Sequence, residues 1–200
     1  MRKFTSHDYR KEETVVLAPE KDKRYTYADY YSWDDGERWE LINGEALVMA
    51  PGPSWRHQGI SGGLFYQLAN FLKGKDGRVF SAPFDVRLNA DTADNTVLQP
   101  DIIVFCDRSK LDGTGCKGAP DMTVEILSPS TAKRDRLVKL RLYQDAGVRE
   151  YWIVDPDTKT ATVYTLENGK YVVAVYGDDE VAPVHILAGC EIVLADVFEE

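Results

Sequence analysis

Val124-Glu-Ile-Leu-Ser-Pro-Ser-Thr131 leads, after a charged segment, to Gly147-Val-Arg-Glu-Tyr-Trp-Ile-Val-Asp-Pro156, and these two stretches decide the fold. The short apolar runs at 124–127 and 151–154 have the composition of strands buried on both faces. Asp155-Pro156 ends the second run, because proline cannot donate to a strand ladder. Between the runs, 131–146 reads as a helix, with Ser128-Pro-Ser-Thr131 stopping the strand and capping that helix. Two strands joined by one helix over so short a span form a parallel, right-handed crossover.

Outward from this unit the pattern stays mixed. Ile102-Ile-Val-Phe105 reads as another central strand, and Phe84, Val86 and Leu88 alternate like a half-buried one. Ser54 is placed to cap a helix along which His57, Ile60, Leu64, Leu68 and Phe71 recur at helical intervals. Gly59, Gly62 and Gly63 weaken its first turns or admit another backbone closely. Thr26-Tyr-Ala-Asp29 has the form of a capping box and starts a short helix. Asn43-Gly44 and Asn168-Gly169 each sit between strand-like runs and predict hairpins. In the first hairpin Ile42 lies opposite Glu45, and Glu40, Ile42, Glu45 and Leu47 share a face. A last apolar segment covers 184–198. The fold class is therefore α/β, a mixed central β-sheet flanked by α-helices with extra β-hairpins.

Two hundred residues, 44% hydrophobic and 28% charged, suit one domain with a proper core. We place it at 25–200, behind a polar, patternless leader over 1–24. No stretch reaches the ~18 apolar residues of a membrane span, and the charged N-terminus lacks a signal peptide's apolar segment. Cys106, Cys116 and Cys190 are odd in number and form no Cys-x-x-Cys pair. That speaks against a disulfide framework or cysteine zinc site and for a reducing cytoplasm. The net charge of −9 is at first sight unfavourable for a nucleic-acid partner. The acid is concentrated, however: 151–200 holds ten acids against two bases, whereas 131–150 holds six bases against three acids. Charge alone leaves the partner open.

Three positions break the local rules. Asp101, in Gln99-Pro-Asp101, opens an apolar strand, where an unpaired carboxylate costs several kcal/mol, although turn aspartates also follow proline. Glu125 interrupts another apolar strand, and glutamate is rarely buried without a partner. Lys139 lies inside an apolar arc: at about 100° per residue, with Asp135 set at 0°, Ala146 falls near 20°, Lys139 near 40° and Tyr143 near 80°. Val138 and Leu142 flank that arc on one side and Leu140 on the other. Its stem can snorkel, but a carboxylate pair on the adjoining strand is the better reason for a lysine there. Glu40 on its hairpin, Glu45 beside the turn and His57 at a helix start are weaker candidates. Lys133, in a first helical turn, reads as facing solvent or a phosphate. His7, His57 and His185 offer no Ser-His-Asp arrangement.

Two carboxylates from neighbouring strands and one lysine are a set suited to metal-assisted phosphodiester hydrolysis. Hard oxygen ligands suit Mg²⁺ or Mn²⁺. A bound metal lowers the pKa of an attacking water, and a desolvated lysine orients or deprotonates that water or offsets transition-state charge. Pro100-Asp101, then Glu125 in a strand, then a lysine, resembles the signature of the PD-(D/E)XK nuclease superfamily. Leu127 stands where that pattern has its lysine; some branches supply it from the next helix, where Lys139 sits.

Longer stretches resemble the putative restriction endonuclease family of that superfamily, across roughly residues 25–198. They are Glu40-Leu-Ile-Asn-Gly-Glu45, His57-Gln58, Gln99-Pro-Asp-Ile102, Glu125-Ile-Leu-Ser-Pro-Ser-Thr131, Lys139-Leu140 with Tyr143, and 147–156. The resemblance implies a restriction-endonuclease-like core and metal-dependent DNA cleavage. The expected assignment has Asp101 and Glu125 as metal ligands, joined by the Ile126 carbonyl, with Lys139 as catalytic cation and Glu40 and His57 assisting. A homodimer is expected, since cutting both DNA strands with one site calls for two copies. A non-catalytic binding or assembly module on the same fold and a hydrolase of another phosphate ester are the alternatives. Lys139→Met keeps the apolar stem, so it is expected to spare stability and remove cleavage.

Overall fold

Strands buried on both faces need neighbours on both edges, and the apolar runs find them in one another. The computed structural model describes residues 19–20, 22–50 and 52–199. Most of the expected leader therefore lies outside the described residues. In chain order the elements are α1 (Tyr27–Tyr31), β1 (Trp39–Ile42), β2 (Glu45–Val48), α2 (Trp55–Leu72), β3 (Arg78–Ser81), β4 (Asp85–Arg87), β5 (Val97–Leu98) and β6 (Ile102–Phe105). There follow β7 (Gly115–Lys117), β8 (Met122–Ile126), α3 (Ala132–Arg134), a π-helical turn (Asp135–Lys139), α4 (Leu140–Ala146), β9 (Glu150–Asp155), β10 (Thr160–Glu167) and β11 (Lys170–Gly177). The short β12 (Val181–Pro183), β13 (Glu191–Val193) and α5 (Leu194–Val197) complete the chain.

Among the described residues the larger sheet has six strands in the order β11-β10-β9-β8-β6-β3. β8 and β9 run parallel with Glu125 opposite Ile153, as the crossover requires, and the other pairings are antiparallel. α2 lays Ile60, Leu64, Leu68 and Leu72 on one face, against Val104, Val124 and Trp152. Leu72, rather than the half-buried Phe71, completes that stripe, and each of its members contributes about 1.5–3 kcal/mol by burial. Gly63 does admit a close neighbour, since a Cβ there would lie 3.3 Å from the Val197 Cα of α5, whereas Gly59 and Gly62 have open space. The helix after β8 covers the opposite face, with Tyr143 packed among Tyr151 and Ile153. Side chains alternate along a strand, so Val124 and Ile126 join α2 while Glu125 points to the other face.

A second sheet, which strand periodicity does not separate from the first, has five described strands in the order β2-β1-β5-β4-β7. The hairpin forms in the expected register, Ile42 opposite Glu45, with Asn43 and Gly44 at φ 51° and 80°. Two successive positive φ values define the turn that matches strand twist, which is why Asn-Gly is used. β1 then pairs with β5 through Leu41 and Val97, and Glu40 ends up only 1% exposed. The 84–88 run joins this sheet as β4, between β5 and β7.

The helix over 132–146 is continuous but irregular: α3 passes through the π turn into α4. On a regular helix a four-residue step drifts by about 40°. An i→i+5 turn underwinds the helix and takes part of that drift back. Asp135, Lys139 and Tyr143 are thereby all buried against the sheet. Val138, which a regular wheel places beside the buried arc, turns outward with Leu137. Thr131 does not cap this helix through its hydroxyl; its Oγ1 instead accepts the Ser128 N–H at 3.3 Å. Cys106, Cys116 and Cys190 are free, and no described helix is long and apolar enough to cross a membrane.

Candidate active site

β1, β8 and the π turn bring three acids around one lysine. Lys139 Nζ lies 2.8 Å from Glu125 Oε1, 2.9 Å from Glu40 Oε1 and 3.6 Å from Asp135 Oδ1. Tyr143 donates its hydroxyl to Glu125 Oε1 at 2.9 Å. Glu40 also accepts the Gln99 N–H at 3.1 Å and faces Arg134 at 3.6 Å. Glu40, Glu125, Asp135 and Lys139 are all buried. Asp101, just ahead of β6, accepts the Ile126 N–H on Oδ2 at 2.7 Å, and the same oxygen lies 3.3 Å from His57 Nε2. The expected positions Asp101, Glu125, Lys139, Glu40, His57 and Ile126 thus line one cleft of about 960 Å³. Glu45 is not among them; it is exposed and faces Arg24 at 3.4 Å. Lys133 is exposed, as its place in a first turn suggested.

The charges in the cleft hold one another in definite states. Burial pushes the Glu125 carboxyl well above the usual carboxylate range; Lys139 opposes that shift, and Asp135, Asp101 and Glu40 add to it. Burial likewise raises Asp135, again against Lys139. For Lys139, burial alone would favour the neutral amine, but Glu125, Glu40 and Asp135 outweigh it and hold the group above the ordinary lysine value. Burial also pulls His57 down, yet Asp101 with the Ile126 carbonyl brings it above the usual histidine value.

Asp135, Tyr143, Arg134 and Gln99 join the site without having been given a role in it from the sequence, although Gln99 and Tyr143 stand in stretches that carry the resemblance. Asp135 and Tyr143 did carry a signal, since they share the inner arc with Lys139 at four-residue spacing. Asp135 is the more unusual: both of its carboxylate oxygens are buried without a hydrogen-bond partner among the described residues. The contacts of Gln99 are legible only in three dimensions. Its Nε2 donates to Asp85 and to the Tyr30 hydroxyl, at 2.9 and 3.0 Å, while its Oε1 accepts from Arg38 at 2.7 Å.

Among the described residues no three His, Cys, Asp or Glu side chains already enclose a space for a metal ion. Asp101 Oδ2 and Glu125 Oε1 are engaged by protein donors. No hydrogen bond among the described residues engages Asp101 Oδ1 or Glu125 Oε2. The balance of charge suits a cation: as ionised groups, Glu40, Glu125 and Asp135 face Lys139 and Arg134, an excess of one negative charge, and Asp101, paired with His57, adds a second when the imidazole is neutral. Carboxylate and carbonyl oxygens are the donors that hard cations select.

Fold and site together define a restriction-endonuclease-like α/β protein. Residues 27–195 match the Uma2 family, described as putative restriction endonucleases, and the chain belongs to that family. It is 30% identical over 139 residues to a Synechocystis sp. protein called uncharacterized protein slr1290, covering 68% of this chain and 71% of that one. The fold is similar to the crystal structure of a putative nuclease of DUF820 from Anabaena variabilis. There the TM-score is 0.71 at 22% identity, over 87% of this chain and 97% of the other.

Proposed function

We propose that the chain is a metal-dependent endonuclease that hydrolyses DNA phosphodiester bonds. The observation that carries this reading is Lys139 Nζ at 2.8 Å from Glu125, beside an Asp101 bonded to the N–H of the next residue, Ile126. A lysine from the following helix takes up the place that Leu127 leaves without a cation. Asp101, Glu125 and the Ile126 carbonyl would hold Mg²⁺ or Mn²⁺. When bound, such an ion lowers the pKa of an attacking water and offsets charge on the scissile phosphate.

The protein's own groups divide the remaining work. Lys139 stays an ammonium among its acids, so it donates hydrogen bonds to the attacking water or a phosphate oxygen and does not take the proton. Glu40, itself held by the Gln99 N–H, aims that ammonium. His57 braces Asp101 from α2. Membership of a family described as putative restriction endonucleases supports the same substrate class.

The test offers supercoiled plasmid, linear duplex, single strands and small phosphodiesters to the protein with Mn²⁺ or Mg²⁺. EDTA and Lys139→Met serve as controls. Metal-dependent DNA cleavage, lost in both controls, is expected. Turnover of small diesters with DNA left intact would replace the substrate. Absence of both Mn²⁺ binding and cleavage would overturn the reading in favour of a binding or assembly module.

A further inference from the structure

We infer that the cleft takes a single nucleic-acid strand, with Trp55 as the platform on which one unpaired base stacks. This rests on the nuclease reading and narrows its substrate class.

The cleft separates its charges by depth. On the floor, the side chains of Glu40, Glu125 and Lys139 are 2%, 6% and 5% exposed. On the walls and rim stand Arg38, Arg56, Arg134 and Arg136, with Asp155 and Asp157 between them; the last three arginines have side chains 34%, 29% and 43% exposed. Each arginine is pre-aimed: Arg38 by Gln99 Oε1 at 2.7 Å, Arg56 by the Pro156 carbonyl at 3.0 Å, Arg136 by Asp155 at 2.8 Å, and Arg134 towards Glu40. In a chain of net charge −9, four oriented guanidiniums against the two rim carboxylates Asp155 and Asp157 leave a local excess of positive charge at the opening, an attraction for a phosphate backbone.

Depth then selects the form of that backbone. A phosphodiester has to descend past the arginines to reach Glu125 and Lys139. The cleft, about 960 Å³, is on the scale of a small-ligand pocket, about 300–1,000 Å³. It therefore holds a short length of one strand. A duplex brings one strand to that floor only by kinking or unpairing, a deformation cost that an unpaired strand does not bear.

Trp55 supplies the contact that a single strand offers and a duplex hides. It is the first residue of α2 and 73% exposed. Its neighbours Ser54 and Arg56 both line the cleft, and with Lys159 it borders a shallow recess that shares Arg56 with the cleft. A lone exposed aromatic is ordinary on a protein surface. Trp55 stands outside the cleft lining, next to Arg56, where a ring offers an unpaired base a stacking face while the cleft arginines hold phosphates.

The experiment uses the full chain in EDTA, so that nothing is cut, and follows tryptophan fluorescence at low salt. A short oligothymidylate is expected to quench it and to bind at least about tenfold tighter than a fully paired hairpin with the same number of phosphates. Trp55→Ala should weaken oligothymidylate binding by about five- to a hundredfold, the scale of one lost base stack. Trp55→Phe, which keeps a ring, should retain most of the affinity. Trp55 is exposed, so neither change opens the core. Oligouridylate binding as tightly or more tightly supports the inference and extends it to RNA. Equal or tighter binding of the hairpin, or an unchanged Trp55→Ala, overturns it. If the hairpin is bound as tightly and is also cut with Mn²⁺, this inference falls and the nuclease reading stands. Strand binding without any metal-dependent cleavage removes the nuclease reading and leaves the strand assignment.

Discussion

Lys139→Met takes the one buried cation out of a cluster of buried acids. Glu125, Glu40 and Asp135 lie 2.8, 2.9 and 3.6 Å from its ammonium, and all three are buried. Breaking a buried ion pair from one side costs about 3–5 kcal/mol. For a domain of this length each kcal/mol moves Tm by about 2–4 °C, so the midpoint should fall by roughly 6–20 °C near neutral pH. The apolar stem alone would have spared stability; the contacts overrule that expectation.

The loss should depend on pH in a definite direction. Burial already raises Glu125 and Asp135, and Lys139 restrains both shifts, so both rise further without it. A carboxyl raised in the folded state costs no stability below its unfolded value, here 4.5 and 3.8. The cost grows as pH climbs through the folded value. Lys139, raised above 10.5, stays charged across this range, so the pH dependence comes from the ionisation of its acids. The deficit should therefore be small near pH 4 and complete near pH 8, read by thermal unfolding of both proteins across that range. Asp135→Asn in the methionine background removes one orphaned acid and should restore part of the loss, a non-additivity of at least about 1 kcal/mol. A variant as stable as wild type near pH 8, a deficit growing towards acid, or strictly additive losses would each refute the shared-lysine account.

Glu125→Gln keeps an acceptor for Lys139 and Tyr143 while deleting the charge that burial disfavours, so stability near pH 8 should hold or rise. Its Mn²⁺ affinity by calorimetry should fall by more than the 10–100-fold typical of changes outside the ligand set, and unchanged affinity would remove Glu125 from the ligands. The His57 ring should titrate above 6.5 by NMR and drop in Asp101→Asn, because Asp101 outweighs burial. The stability from that pair is present below 6.5 and lost as pH rises through the folded value. Gly115→Ala would press a Cβ into the Asp85 carbonyl oxygen. It should cost about 1–3 kcal/mol by denaturant unfolding; an unshifted midpoint would disprove the tight β4–β7 approach.

Much of the architecture was legible because its signals are local. The parallel crossover, both Asn-Gly hairpins and the Ser54 cap follow from apolar period, turn chemistry and capping within short windows. Glu125 and Lys139 stood out as charges inside apolar patterns. Thr131 and Val138 went the other way, because a π turn and a hydroxyl bond to Ser128 are not encoded in a regular wheel.

The sequence by itself determined the strands with apolar runs or Asn-Gly turns, the main helices and the charges that had to be buried with partners, since periodicity and desolvation cost act within a segment. The short β3, β5, β7, β12 and β13 carried no such signal. Only the tertiary structure decided which partners these segments and charges met. β1 pairs with β5 and Glu40 lies against Lys139, 99 positions further along the chain, in a contact no local pattern encodes. The underwound turn aligned Asp135 with Lys139, and chain packing set the arginines above the acids. Such long-range placement comes from how the sheets and helices pack as a whole, where burial is shared among distant segments rather than within any one of them.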